Sequence, residues 1–353
     1  MRIYQLFGLP APIEKIKIHE ERSPGYKRWI ENGANILKKE LPFEGPADLS
    51  ITVGSGLASV VDLLELQNVR HIAYDDIGLP VGGNPQHKKE IIAGITKNGK
   101  KVIIVNGRTH AYEIPEEGVK TKTWGQLGRM ELATGYLAML NEIGVENMIL
   151  TCAAGGINHP MQNKQERPFK EEDLPVISMI AADLNRAYPS PHMGHYKAKH
   201  GDFFGLKDAD RDFMSMFKQS MVDTGETGNI PMVYYITSKS TPNFEDSGVI
   251  YDAAINGGQV VGMSYSYEKE FISGLDKIGR FMGVAVVTNP VELVYAEPSP
   301  YRDGEPVSVN EMRQHRPQEF VIAHKATDKE VGEMGRLAVN RLGKGLVQLI
   351  KSL

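Results

Sequence analysis

Short β-branched and apolar runs alternate with helical stretches along most of this chain, and many of the runs end in glycine, serine or asparagine. That alternation constrains the fold more than any other feature. Strands separated by helices need crossover connections, which build an α/β domain with a largely parallel sheet. The order begins with an amphipathic helix over 26–40, then the strand ADLSITV, the glycine turn GSG and a helix LASVVDLLELQ. A strand near 71–75 precedes EIIAGIT and KKVIIVNG, which flank KNGK. The Asn-Gly pair there is a hairpin signal, so some strands are antiparallel and the sheet is mixed.

Residues 124–144 have helical period, and VENMILTCAAGGIN reads as a strand followed by a glycine turn. DLPVISMIAAD is a strand, and DADRDFMSMFKQSMVDTG a helix whose acidic start suits the helix dipole. MVYYITS, QVVGMS and GVAVVTN read as strands, with SGVIYDAAING and KEFISGLDKIG as helices between them. A final helix starts near 327 with the capping-box pattern Thr327–Glu330. Two segments, 158–173 and the His-rich 188–204, read as loop insertions. No Pro/Ser/Gly linker divides the chain, so 1–353 is expected to be one domain, with 1–47 as an N-terminal helical extension.

Composition narrows the function. With 41% hydrophobic and 24% charged residues the chain can bury a sizeable core. A net charge of -4 gives no reason to expect nucleic acid or a membrane surface as partner. Cys152 stands alone, so no intrachain disulfide forms and a cysteine-rich zinc site is excluded. There is no apolar signal-peptide core near the start and no run long enough to span a membrane, so a cytoplasmic protein is expected.

Chemistry is expected in the loops beyond the carboxyl ends of strands. GSGLAS, residues 54–59, offers backbone N–H groups and Ser55 to an anion, or is a plain tight turn. It matches a dinucleotide fingerprint only partly, because Ser59 stands at the third glycine, and it lacks the Lys of a phosphate-binding P-loop. GRTHAYE, 107–113, is more pointed. If the preceding strand runs through it, Arg108, His110 and Tyr112 lie two apart on one face, a guanidinium and an imidazole beside a phenol. TCAAGG, 151–156, would let a ligand approach bare backbone, or simply makes a close-packed turn. His192, His195 and His200 have no standard zinc spacing and read as loop histidines.

Taken in order, GSGL, GRTHAYE, TCAAGGIN, PNFED, VGMS and VVTN resemble the motif series of the trimeric purine nucleoside phosphorylases and their methylthioadenosine phosphorylase relatives, over roughly residues 48–345. The resemblance implies a three-layer fold with a mixed central sheet flanked by helices. It implies phosphorolysis of a nucleoside, giving free purine and a pentose 1-phosphate. Inorganic phosphate would be co-substrate, with no organic cofactor or metal, and the assembly a homotrimer with sites near the subunit interfaces.

Carried over residue by residue, Ser55, His87, Arg108, His110, Ser264 and the backbone of Ala153 match phosphate ligands. Tyr112 and Met263 match sugar contacts, and Ala154 and Gly155 the nucleoside-lining backbone. Phe244 matches the aromatic on the purine, Glu245 the carboxylate on its N1 edge, and Asn289 the amide at N7 and O6, which points to 6-oxopurines. The sequence departs from the family at several places. Asp328 stands for a His that meets the 5′-hydroxyl, and His200 aligns with the neighbouring subunit's Phe, with Phe203 and Phe204 close by. Gln86 and Asp246 stand for Gly and Thr, Cys152 for Asn and Pro290 for Lys. A methylthioadenosine phosphorylase, a nucleoside binder without turnover and, on GSGLAS alone, a dinucleotide-dependent oxidoreductase are the competing readings.

Overall fold

The computed structural model describes residues 23–83, 87–115, 118–122, 125–162, 168–191, 208–225, 230–237, 245–296, 306–323 and 326–353. The first element is helix α1 (Pro24–Glu40), capped by the Ser23 hydroxyl, which accepts from the Tyr26 N–H at 3.1 Å. Strand β1 (Leu49–Val53) pairs in parallel with β4 (Lys101–Asn106) and β7 (Asn147–Asn158). The KNGK hairpin forms as expected: β3 (Glu90–Ile95) runs antiparallel to β4, and Gly99 takes φ +83 in the turn. Strand β2 (Gln67–Ala73) pairs outside β3 and ends this edge of the sheet.

The other half of the sheet curls. Strands β8 (Val176–Asn185), β9 (Met232–Thr237), β10 (Val260–Gly262) and β11 (Arg280–Tyr295) follow in sequence order. β11 pairs with both β7 and β8, β8 with β9, β9 with β10, and β10 back with β7, closing a ring of strands. After the short helix α7 (Val309–Gln314), β12 (Phe320–Ile322) extends the far edge along β11.

Alternation along the strands builds a core on each face. In β4, Ile103 and Val105 face one cluster while Val102 and Ile104 face the other. The first cluster is covered by α1, α3 (Arg129–Glu142) and α6 (Tyr265–Ser273). The second is covered by α4 (Arg211–Asp223) and the last helix, α8 (Asp328–Ser352), with Val60 of the short α2 (Val60–Leu63). The result is three layers, helices on both sides of a mixed sheet. Burial of each large apolar side chain contributes about 1.5–3 kcal/mol. Trp29 of α1, 2% exposed, is one of them; its Nε1 donates to the Gly78 carbonyl at 2.9 Å. A Cβ on Gly135 of α3 would lie 2.2 Å from that indole ring, so the helix approach requires glycine there.

Some local readings change. The helix expected over 57–67 is only Val60–Leu63. The helix expected from 124 begins at Arg129, because Gly125–Leu127 forms β6 and pairs with β5 (Val119–Thr121). β7 does not stop before its glycines. Gly155 and Gly156 stay in the strand, paired with Asn289 and Pro290 of β11 and with Val261 and Val260 of β10. Small residues there serve close packing rather than a turn, since a Cβ on Gly156 would sit 2.4 Å from the Phe169 ring. The capping box at the last helix is as expected: the Thr327 N–H donates to Glu330 Oε2 at 2.7 Å.

Candidate active site

β1 and β4 end level with one another, Val53 opposite Asn106, while β7 and β11 continue past them. β10 runs antiparallel to β7, so its C-terminal end returns alongside residues 152–154. The segments after β1, β4 and β10 therefore converge on the middle of β7. A cleft of about 400 Å³ opens there, lined by Ser55, His87, Arg108, His110, Tyr112, Ala153, Ala154, Gly155, Glu245, Met263, Ser264 and Asn289. Phe244 and His200 lie outside the described residues. Asp328 is the first residue of α8, and its side chain is likewise outside them.

Arg108, His110 and Tyr112 do not share a strand face. β4 stops at Asn106, Gly107 takes φ +90, and residues 111–113 form a 3-10 turn. The position requires glycine: a Cβ on Gly107 would meet the His87 Cβ at 2.5 Å. Arg108 turns inward and is 3% exposed. Its Nη1 donates to Ser264 Oγ at 2.9 Å and its Nη2 to the Thr151 carbonyl at 2.7 Å. Its Nε lies 3.1 Å from Oε1 of the fully buried Glu268, off the N–H direction, so this contact acts through charge rather than as a directed hydrogen bond. Tyr136 donates to the same Glu268 oxygen at 2.8 Å.

The two imidazoles stack, centroids 5.2 Å apart, and the His110 ring stacks in turn on Tyr112 at 5.0 Å. His87 Nδ1 donates to the Arg108 carbonyl at 2.8 Å, which leaves Nε2 as acceptor for the Ser55 hydroxyl at 3.2 Å. His110 Nδ1 donates to Glu113 Oε1 at 3.0 Å, and the same oxygen accepts the His110 backbone N–H at 2.8 Å. Burial pushes His87 down to about 3 and holds His110 below its ordinary value, so both rings are neutral at pH 7 and each has an Nε2 lone pair. Glu113 is held at about 2: burial opposes the charge, and the His110 bonds and Lys89 more than offset it.

A second group of residues gathers around Gly155. A bulge between Val287 and Asn289 resets β11 against β7 and carries Asn289 into the cleft. The Thr288 hydroxyl donates to Asn289 Oδ1 at 3.1 Å, which orients the amide nitrogen as the remaining donor. Glu245, 9% exposed, lines the same cleft just before α5 (Ser247–Ile255).

With this arrangement in view, the comparisons with known proteins are informative. No family model matches the chain. Purine nucleoside phosphorylase 1 of Bacillus subtilis is 29% identical over 278 residues, 77% of this chain and 89% of that protein. The purine nucleoside phosphorylase of Saccharomyces cerevisiae is 28% identical over 311 residues, 86% and 87% of the two chains. That of Bos taurus is 24% identical over 290 residues, 81% and 91%. The chain is thus similar to purine nucleoside phosphorylases from bacteria, yeast and cattle over most of its length.

The cleft has supports beyond the residues that carry this similarity. Glu268 and Lys89 carry no motif of their own, yet both are buried behind it. Glu268 follows Ser264 by one helical turn on α6, so the two meet Arg108 from one helix face. Lys89 stands two residues after His87, just before β3, with its backbone in the left-handed region. Its Nζ donates to the Arg108 carbonyl at 2.5 Å and lies 3.3 Å from Glu113 Oε2.

Two residues that depart from the family have structural work here. The Asp246 carboxylate caps α5, accepting the Val249 N–H at 3.0 Å. The Cys152 thiol is buried, 3.9 Å from the Val284 carbonyl, and burial pushes it up to about 12. It packs rather than reacts. GSGLAS is not a dinucleotide loop, because the helix after it has a single turn. Gly56 is instead required by α8: a Cβ there would be 2.9 Å from the Gly332 carbonyl.

Among the described residues, His87, His110 and Glu113 form a group whose ligand atoms lie within 4.8 Å of one another. A cation fits this group poorly. His87 Nδ1 and the Glu113 carboxylate are spent on internal bonds, and the cationic side chains of Arg108 and Lys89 stand beside them. An anion suits the surroundings.

Proposed function

We propose that this chain catalyses phosphorolysis of purine nucleosides, with a preference for 6-oxopurines. A phosphate oxygen bonds to the anomeric carbon as the bond to purine N9 breaks and the electron pair leaves with the base, giving an inverted sugar 1-phosphate. The observation that supports the reading is the meeting, in one cleft, of a donor-rich group suited to an anion and a carboxylate–amide pair suited to a base edge. Arg108, Ser55, Ser264 and His110 stand in the first, Glu245 and Asn289 in the second.

The division of labour follows from the donors. Arg108 and the two serine hydroxyls hold the phosphate, with the Ala153 backbone. The neutral His110 accepts a hydrogen bond from a protonated phosphate oxygen through Nε2, and His87 does so once phosphate draws the Ser55 hydroxyl away from its Nε2. Tyr112 and Met263 bound the sugar; the resemblance also assigns His200 and Asp328 to the sugar and Phe244 to the purine. Glu245 accepts from the purine N1 edge, and Asn289 Nδ2 donates to N7 as negative charge develops on the leaving base. The free acceptor geometry at Asn289 is limited by Thr288, which favours a carbonyl at C6. Catalysis is then positioning and charge stabilisation, with phosphate the only co-reactant. The proposal extends to a homotrimer acting in cytoplasmic purine salvage.

The test is to incubate the protein with inosine, guanosine, adenosine and methylthioadenosine, each with and without phosphate, and to identify the base released. Phosphate-dependent hypoxanthine from inosine is expected. Adenine from methylthioadenosine alone would overturn the base preference. Nucleoside binding without any base in a single turnover would overturn the activity.

A further inference from the structure

Lys89 is 5% exposed, sits at φ +55 and does not line the cleft, yet its ammonium group reaches parts that do. It donates to the Arg108 carbonyl at 2.5 Å, which also accepts His87 Nδ1. It lies 3.4 Å from Glu113 Oε1 and 3.3 Å from Oε2, and 3.4 Å from the Thr109 hydroxyl, which is itself held on the Pro80 carbonyl at 2.6 Å. An L-residue at that φ and a lysine in that environment are both costly, so the site must return something for them.

The charges around the anion group show what. Arg108 is matched by Glu268, 3.1 Å away. His87 and His110 are neutral. Glu113 lines the cleft as a carboxylate, and an arriving phosphate would be repelled by it. Among the described residues, Lys89 is in salt-bridge contact with Glu113. His110 also bonds that carboxylate, and Tyr188 interacts electrostatically with it, with Tyr112 and with Arg129.

We propose that Lys89 is a positioning residue for phosphate. From outside the cleft it cancels the charge of Glu113 and pins the Arg108 carbonyl, so the anion meets no uncompensated carboxylate. This rests on the phosphorylase reading, and it assigns to one lysine a share of phosphate selectivity that the resemblance does not supply.

The experiment uses inorganic phosphate, measured by calorimetric binding and by steady-state phosphorolysis, on the full chain. Lys89→Met is expected to weaken phosphate about tenfold while the nucleoside KM stays within twofold. Lys89→Gln keeps a donor for the Arg108 carbonyl without the charge and is expected to lose as much. Lys89→Arg is expected to hold phosphate within threefold of the parent. Adding Glu113→Gln to Lys89→Met is expected to recover phosphate affinity, because the uncancelled charge is gone. The ratio of mutant to parent phosphate affinity is expected to approach one as pH falls and Glu113 protonates in the variant.

Unchanged phosphate binding in Lys89→Met and Lys89→Gln would overturn the proposal, as would equal losses for phosphate and nucleoside. Recovery by Lys89→Gln would overturn the charge argument. A parent protein that binds no phosphate and releases no base would instead remove the phosphorylase reading, and this inference with it.

Discussion

The Arg108 guanidinium is held from behind by Glu268, Nε to Oε1 at 3.1 Å, with the two side chains 3% and 0% exposed. The pair leaves Nη1 and Nη2 aimed at Ser264 and Thr151, so the fork reaches the cleft already oriented. A buried ion pair of this kind is weak evidence for stability in itself, but breaking it strands a charge. Glu268→Gln is therefore expected to cost about 3–5 kcal/mol in urea unfolding and to weaken phosphate. A loss under 1 kcal/mol with phosphate affinity intact would show that Arg108 needs no such support.

On the proposed function, Asn289 selects the base. Asn289→Asp replaces the amide donor with a carboxyl group that donates to N7 only when protonated. A hydrogen bond involving a charged group contributes about 1.5–3 kcal/mol, so the ratio of inosine to adenosine kcat/KM is expected to fall roughly 10- to 100-fold. Parallel kinetics on the two nucleosides check this; an unchanged ratio would remove Asn289 from base selection.

Gly155 offers a test of the division within the cleft. A Cβ there would lie 2.6 Å from Val291 Cγ2 and 3.5 Å from Asn289 Nδ2. Val291 is β-branched and cannot rotate away freely. Gly155→Ala is expected to raise the nucleoside KM about tenfold at a stability cost of about 1–3 kcal/mol, with phosphate binding unchanged. Equal weakening of phosphate would mean that the two groups of residues do not act separately.

His87 links stability to pH. Burial, with the His110 ring and the Lys89 and Arg108 charges, lowers it from 6.5 to about 3. The unfolded chain takes up a proton near 6.5 that the folded chain refuses until about 3, so the contribution is full above 6.5 and shrinks with acid. Each pH unit below 6.5 removes about 1.4 kcal/mol, roughly 2 kcal/mol by pH 5. His110 acts in the same sense, whereas Glu113 adds its loss only below about 4.5. Urea midpoints between pH 6.5 and 5 are expected to fall less steeply in His87→Gln than in the parent; parallel slopes would contradict the assignment.

What the sequence by itself determined is local. The Asn-Gly hairpin before β4, the Thr327–Glu330 capping box and the order of strands and helices rest on φ preferences, side-chain capping and hydrophobic period, all set by neighbours in the chain. The ordered motifs also placed Ser55, Arg108, His110, Glu245, Ser264 and Asn289 in one family pattern. Tertiary structure decided the rest, because it depends on residues far apart meeting. The chain can turn out of the strand at position 107 only with glycine, because His87 occupies the space a Cβ would take. β7 runs through its glycines because β10 and β11 pair with it on either side. Asn289 enters the cleft through a bulge that only the β7 register reveals. Glu268 and Lys89 acquire their importance from Arg108 and Glu113, since a buried charge must be matched by whatever the fold brings beside it.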